Sequence, residues 1–159
     1  MNLRELLIEP VSHIPPARAL EGLALDDAHR RVTGANHSIA ELVAHLIFWQ
    51  EWFCERCAGV QVPMPQAAAL GWPEVTYGTW PDLEQRFLEG LERAASYGRP
   101  ESRLDEMITP AIEFPPLGRY SVRDVLVHIA HHNAHHLGQI ILLRQLLGSW
   151  PPPAGSYTW

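Results

Sequence analysis

Five of the nine histidines of the chain lie within nine residues, in the stretch HIAHHNAHHLGQI at positions 128–140. Imidazole nitrogens bind transition metals, carry protons near neutral pH and form hydrogen bonds. A metal site, a proton relay and a set of surface histidines would each use these side chains differently. The direction in which each side chain leaves its helix therefore decides which chemistry the stretch can support.

Two of the five histidines are predicted to point into the protein. An α-helix turns about 100° per residue, and with Val122 at zero the apolar residues of this segment cluster between about 300° and 360°. His136 falls inside that stripe at about 320°, and His132 falls at its edge at about 280°. Side chains four residues apart stack on one helix face. We therefore expect His132 and His136 to face the core together.

The other three histidines of the stretch fall between about 180° and 240°, away from the apolar stripe. His131 is expected to face solvent. His128 and His135 share a second face with Leu142 and Leu146, which could pack against another helix or a second subunit. His128 lies one turn before His132, so it is the alternative inward residue if the helical phase is shifted.

A third inward histidine is predicted in an earlier helix, over positions 38–57. With Ser38 at zero, its large apolar residues lie within about 40° of a mean near 20°, and His45 lies at about 340°. Burying three neutral imidazoles without partners would be costly. A shared cation, with Zn–N distances of about 2.0–2.1 Å, would stabilise all three. The sequence thus predicts metal ligands at His45, His132 and His136.

The elements that must position these residues are helices. Helical patterns cover 2–13, 38–57, 79–98 and 121–148, with strand alternation absent and long connections between them. Ser38 with Glu41, and Ser121 with Asp124, have the spacing of N-terminal capping pairs. We predict an all-α fold, a four-helix bundle with long crossover connections, in a single domain over 1–159 that ends in a proline-rich tail at 149–159.

Composition excludes several classes of partner. The net charge is -6 and all twelve basic residues are scattered arginines, which argues against nucleic acid. The sequence contains no run of 18 apolar residues, which argues against a membrane span. The start MNLRELLIEP lacks a secretory signal pattern, so we expect a cytoplasmic protein. Cys54 and Cys57 are expected to be ordinary helix residues, one beside the core and one at the surface.

Other metal motifs are absent. No glutamate has a histidine three residues later, as di-iron carboxylate bundles require, and the zinc-protease motif H-E-x-x-H does not occur. Two segments rich in aromatic residues and proline, 71–83 and 149–159, could wall the site or cover the ends of the bundle. We favour the covering role for their tryptophans, which are Trp72, Trp80, Trp150 and Trp159. His13, His29 and His37 are expected to have surface roles.

The segments SIAELVAHLIFWQEW and SVRDVLVHIAHHNAHHLGQI resemble the DinB/YfiT-like family, also called the DinB superfamily. That family combines a serine-capped helix carrying one histidine with a late helix carrying H-x-x-x-H followed by R-G-Q. The matching residues here are His45, His132 and His136, and Leu137 stands where arginine is more frequent. The resemblance extends from the connection EGLALDD at 21–27 to about Gly148.

The resemblance implies a four-helix bundle that often forms a homodimer and holds a divalent metal, zinc or nickel, on three histidines with open positions. Relatives include S-transferases that use low-molecular-weight thiols such as bacillithiol or mycothiol. We therefore expect a thiol-dependent S-transferase or a hydrolase acting on a small molecule. The alternative is a non-enzymatic, metal-stabilised dimeric helical bundle of stress-response type. The sequence identifies no catalytic base, because capping accounts for Glu41 and Asp124.

Overall fold

The computed structural model describes residues 2–108 and 119–156, and the regular elements in these ranges are helical. Three helices are long: α4, Ile39–Cys57; α5, Trp80–Tyr97; and α6, Val122–Leu147. Three are short: α1, Leu3–Ile8; α2, Pro16–Leu20; and α3, Leu25–His29. Two 3₁₀ turns, Ala68–Gly71 and Glu101–Asp105, lie in the connections. The predicted all-α fold is confirmed.

The long helices match the prediction closely, whereas the first helix is shorter than predicted. Helix α1 ends at Ile8, and Glu9 leaves the helical conformation with φ -133°. Pro10 explains this end, because proline disfavours helical backbone at the residue before it. Val11, which fits the apolar period in the sequence, is 84% exposed. The predicted connection 14–37 contains two short helices.

Capping residues start both helices that carry the predicted ligands. The Ser38 hydroxyl accepts a hydrogen bond from the Glu41 backbone N–H, and the Glu41 carboxylate accepts one from the Ser38 N–H. Ser121 and Asp124 form the same reciprocal pair at the start of α6. Each pair satisfies backbone N–H groups that a helix start leaves open. These caps fix where each helix begins, and so fix the phase of its histidines.

Helix α4 is the centre of the bundle, since it packs against both α5 and α6. Helix α1, which has only 6 residues, is the fourth member of the bundle and contacts α5 and α6.

The prediction that one of the two cysteines lies at the surface is wrong, because α4 is covered on several sides. Cys54 and Cys57 are both buried, at 1% and 8% exposure, so neither lies at the surface. Burial raises the pKa of Cys54 to about 12 and that of Cys57 to about 11, which keeps both thiols protonated.

The described part of the C-terminal tail packs against the α2 region of the same chain. The Arg18 guanidinium donates hydrogen bonds to the carbonyls of Ala154 and Gly155, at 2.9 and 3.0 Å. Gly22 has φ +68°, and a Cβ there would lie 2.7 Å from the ring of Pro153. Glycine is therefore required at position 22 both by the backbone conformation and by the close approach of the tail.

Two of the tryptophans lie at the ends of long helices, since Trp80 begins α5 and Trp150 follows α6. Trp80 is buried, and its indole N–H donates to the Leu23 carbonyl at 3.1 Å. Trp150 lies against the guanidinium of Arg144, 5.5 Å from the ring centroid. Trp159 lies outside the described residues. None of the described helices combines the length and apolar character needed to cross a membrane.

Candidate metal centre

The structure brings the three predicted histidines together between α4 and α6. His45 lies in the middle of α4, and His132 and His136 lie one turn apart in the middle of α6. The Nε2 atom of His132 is 3.2 Å from that of His45 and 3.1 Å from that of His136. His45 and His136 are each 7% exposed, and His132 is half-buried. The three histidines that the helical phase predicted to face inward therefore lie close together in the structure.

Hydrogen bonds at the far ring nitrogens aim two of these imidazoles at one point. His45 Nδ1 lies 2.6 Å from the carbonyl oxygen of Gly71, and His136 Nδ1 lies 2.6 Å from the Oε1 of Gln139. Both oxygens can only accept, so each Nδ1 must carry the proton and donate it. In a neutral imidazole the other nitrogen then carries a lone pair. His45 and His136 thus present Nε2 lone pairs towards His132.

This arrangement fits a bound cation. Two nitrogen ligands held at about 2.0–2.1 Å from one metal lie about 3.0–3.4 Å apart, close to the two Nε2 separations in the structure. His132 can bring at most one proton to Nε2, which can satisfy only one of the two facing lone pairs. A divalent ion would satisfy all three nitrogens at once. Among the described residues, these three histidines form the group of histidine, cysteine or acidic side chains that could hold a metal ion, and the group has no fourth member.

The electrostatic environment keeps the three rings in the form that binds metal. Burial lowers the pKa of His132 to about 3, and repulsion by His136 and His45 contributes to the shift. Burial also lowers the pKa of His45 and that of His136, although their Nδ1 hydrogen bonds partly oppose the shift. All three imidazoles are therefore neutral at pH 7. Neutral imidazole is the form that ligates metal ions.

The lowered pKa of His132 predicts that the metal-free protein loses stability in acid. The unfolded chain takes up a proton at His132 below about pH 6.5, whereas the folded chain does so only near pH 3. The contribution of His132 is thus fully present above pH 6.5 and is lost as the pH falls. The free energy of unfolding falls by about 1.4 kcal/mol for each pH unit below about pH 6. Urea denaturation of chelator-treated protein between pH 7 and pH 4.5 measures it.

A His132→Gln variant is the control for this prediction, since it removes the titrating ring and keeps a polar side chain. Its free energy of unfolding should fall about 2 kcal/mol less than that of the wild type between pH 7 and pH 4.5. Parallel losses in the two proteins would show that other groups govern the acid sensitivity.

An aromatic column packs against His45, and it includes a residue of segment 71–83, for which a wall of the site was the less favoured role. The indole of Trp72 stacks on the His45 ring at 3.8 Å, and the His37 ring stacks on the other face of Trp72 at 3.7 Å. Trp72 therefore walls the site rather than covering a bundle end, and His37, expected at the surface, is half-buried against Trp72. The hydrogen bond from His45 to the Gly71 carbonyl places the next residue, Trp72, over the imidazole.

Gly71 can hold this position because it has no side chain. A Cβ at Gly71 would lie 3.0 Å from the indole nitrogen of Trp49. The sequence carried no signal for these contacts, because residues 58–78 lack the periodicity that reveals direction in a helix. Gln139 was visible as the last residue of the family motif, but its hydrogen bond to His136 appears only in the structure.

The remaining histidines of α6 lie outside the three-histidine group. His131 and His135 are exposed, and His131 faces solvent as predicted. His128 is half-buried, and its Nδ1 lies 3.2 Å from the hydroxyl of Tyr120. The predicted helical phase is therefore correct, and His128 does not replace a member of the group.

The fold and this site define a helical-bundle protein with a three-histidine cluster between two of its helices. The chain belongs to the DinB superfamily, because the family model matches residues 17–140, a span that includes all three histidines and Gln139. No curated protein sequence matches the chain. The family assignment made from the histidine motifs is confirmed.

Proposed function

We propose that this protein is a metal-dependent enzyme that binds a divalent ion through the Nε2 atoms of His45, His132 and His136. Zinc and nickel both suit imidazole ligands. An ion on three neutral ligands keeps its full double charge, so it lowers the pKa of a water or thiol that binds in an open position. We propose that the reaction is thiol transfer to, or hydrolysis of, a small molecule, with a low-molecular-weight thiol as cosubstrate of the transfer.

The observation that carries this proposal is the pair of hydrogen bonds at the Nδ1 atoms. Gly71 and Gln139 hold two rings with their Nε2 lone pairs directed at a third imidazole. Such outer partners are the usual way in which proteins orient histidine ligands. Three protein ligands with an open position are typical of catalytic zinc sites, whereas structural sites use four.

Metal analysis followed by an activity screen tests the proposal. Protein purified without chelators, then incubated with zinc or nickel and desalted, should retain about one ion per chain. Activity towards electrophiles that requires both the metal and an added thiol would identify a transferase, and thiol-independent cleavage of esters or amides would identify a hydrolase. Failure of the protein to retain either ion would contradict the metal site itself.

A second candidate is a non-enzymatic bundle in which the ion only joins two helices. It is favoured by one observation: the cluster links α4 to α6 through side chains that lie 87 positions apart in the chain. Metal removal separates the two candidates. A purely structural ion should give a large fall in melting temperature on removal and no metal-linked activity in the screen. The three-ligand set favours the enzyme.

We also propose that the protein forms a homodimer through the C-terminal part of the second face of α6, at Leu142 and Leu146, away from His128. Leu142 and Leu146 are 54% and 62% exposed there, beside a groove of about 370 Å³. Replacing both leucines by glutamate should weaken dimerisation by at least about a hundredfold, because a charged side chain cannot be buried unpaired. Light scattering after size exclusion measures the mass.

The control for the dimer is Val11→Glu, because Val11 lies in another part of the chain and is 84% exposed. It should leave the mass unchanged. A monomeric wild type at tens of micromolar, or a dimer that survives both glutamates, would contradict the proposed interface.

A further inference from the structure

A second polar pair joins His128, one turn before His132 on α6, to Tyr120, which precedes the helix. The Tyr120 hydroxyl and the Nδ1 of His128 are 3.2 Å apart, and the ring of His128 is 6.3 Å from that of His132. Phe53, which is 1% exposed, packs against His128 with ring centroids 4.7 Å apart and lies parallel to the Tyr120 ring. Both partners of the pair are thus held by a buried ring rather than free in solvent.

The hydrogen bond favours one tautomer of His128. A phenol hydroxyl is a better donor than acceptor, and an unprotonated imidazole nitrogen accepts. The favoured arrangement therefore has Tyr120 donating to an unprotonated Nδ1. Burial lowers the pKa of His128, so the ring is neutral at pH 7 and in this arrangement its single proton is on Nε2. The ring presents an N–H donor at the edge that Tyr120 does not occupy.

That donor lies beside the candidate metal centre. His128 and His132 both line one open cavity of about 500 Å³, together with Tyr120 and Arg123. Arg123 adds a positive charge, which it shares with Asp105 at 3.2 Å. The carboxylate that lines the cavity, Asp124, is engaged in the helix cap with Ser121. The cavity therefore offers hydrogen-bond donors and a cation to a ligand that also reaches His132.

We propose that His128, oriented by Tyr120, forms a hydrogen-bond-donor subsite in the cavity beside His132. It would bind an anionic atom of the substrate, such as a thiolate sulfur or the oxygen of a carboxylate or enolate. This inference rests on the proposed metal-dependent function and adds to it a binding residue outside the metal ligands. A fixed donor aimed at developing negative charge stabilises it more than mobile water does. Tyr120 is a positioning residue, since it acts through His128.

The test uses the full-length protein loaded with Co²⁺, whose visible spectrum reports the binding of azide, a small anion that accepts hydrogen bonds. His128→Phe keeps the packing on Phe53 and removes the donor, and it should weaken azide binding about tenfold. His128→Gln places an amide N–H where Nε2 was and should stay within about threefold of the wild type, whereas His128→Asn, whose amide matches Nδ1, should resemble phenylalanine. Tyr120→Phe should weaken binding about threefold. The control is His135→Ala, which removes an exposed histidine of the same helix that does not line this cavity.

The outcomes separate the two levels of the proposal. A wild type that takes up no Co²⁺ overturns the proposed metal site, and this inference with it. Normal Co²⁺ uptake with equal azide affinity in His128→Phe and the wild type overturns the inference alone. So does an equal loss in the glutamine, asparagine and phenylalanine variants, because that pattern reports packing rather than donation. Loss of Co²⁺ itself from His128→Phe would make His128 a metal ligand and would also overturn the inference.

Discussion

Replacing His132 by alanine is expected to weaken divalent metal binding by about a hundredfold or more. His132 is the ring that lies between the other two, with its Nε2 within 3.2 Å of both partners. Four-ligand zinc sites have binding free energies of about 10–16 kcal/mol, so one ligand contributes about 3 kcal/mol, which corresponds to about two orders of magnitude in affinity. Competition titration against a chromophoric chelator measures this loss directly.

His131→Ala is the matched control, because it removes an exposed imidazole from the adjacent position of the same helix. Its metal affinity should stay within about threefold of the wild type. His45→Ala, from the facing helix, should weaken binding as strongly as His132→Ala does. A protein whose affinity survives both of these changes, or falls equally in His131→Ala, would not hold its metal between α4 and α6.

Replacing Arg144 by leucine is expected to lower the free energy of unfolding by about 3 kcal/mol or more. Arg144 is 1% exposed, and its guanidinium donates to three carbonyl oxygens, which belong to Ala19, Glu21 and Ser149, at 2.6 to 3.1 Å. Leucine fills part of the volume but leaves these oxygens without their donor. Each buried polar group left unsatisfied costs about 1–3 kcal/mol.

Urea denaturation of the metal-free protein measures the change. Arg86→Leu is the matched control, because Arg86 makes an ion pair with Glu51 in which both side chains are about half exposed. Exposed pairs contribute about 0–1 kcal/mol, so Arg86→Leu should change stability by less than 1 kcal/mol. Arg144→Lys should fall between wild type and leucine, since lysine keeps the charge but cannot reach three carbonyls. Equal effects of the two leucine variants would show that the hydrogen bonds of Arg144 contribute little.

Much of the site could be predicted from the sequence because its three histidines lie in long, regular helices. Within a helix, the angle between two side chains follows from their spacing alone. Val122 and the apolar residues after it define the buried stripe, and His132 and His136 follow from it without further information. His45 follows from the stripe of α4 in the same way. The capping pairs at Ser38 and Ser121 located the helix starts for the same local reason.

Contacts between elements required the tertiary structure. Trp72 and Gly71 belong to a connection without period, so only the folded chain shows that a backbone carbonyl binds His45 and that an indole stacks on it. Arg144 follows the ordinary pattern of a basic residue near a helix end, yet it is buried against Ala19, 125 positions away. Cys57 becomes buried because α4 is covered by two helices at once.

The sequence by itself thus determined which residues form the three long helices, where those helices begin and which histidines face inward, since these depend on neighbours within a few positions. The tertiary structure alone decided which groups hold those histidines in place and which polar side chains become buried. Those outcomes depend on how helices and connections far apart in the chain pack together, and a local pattern carries no record of that packing.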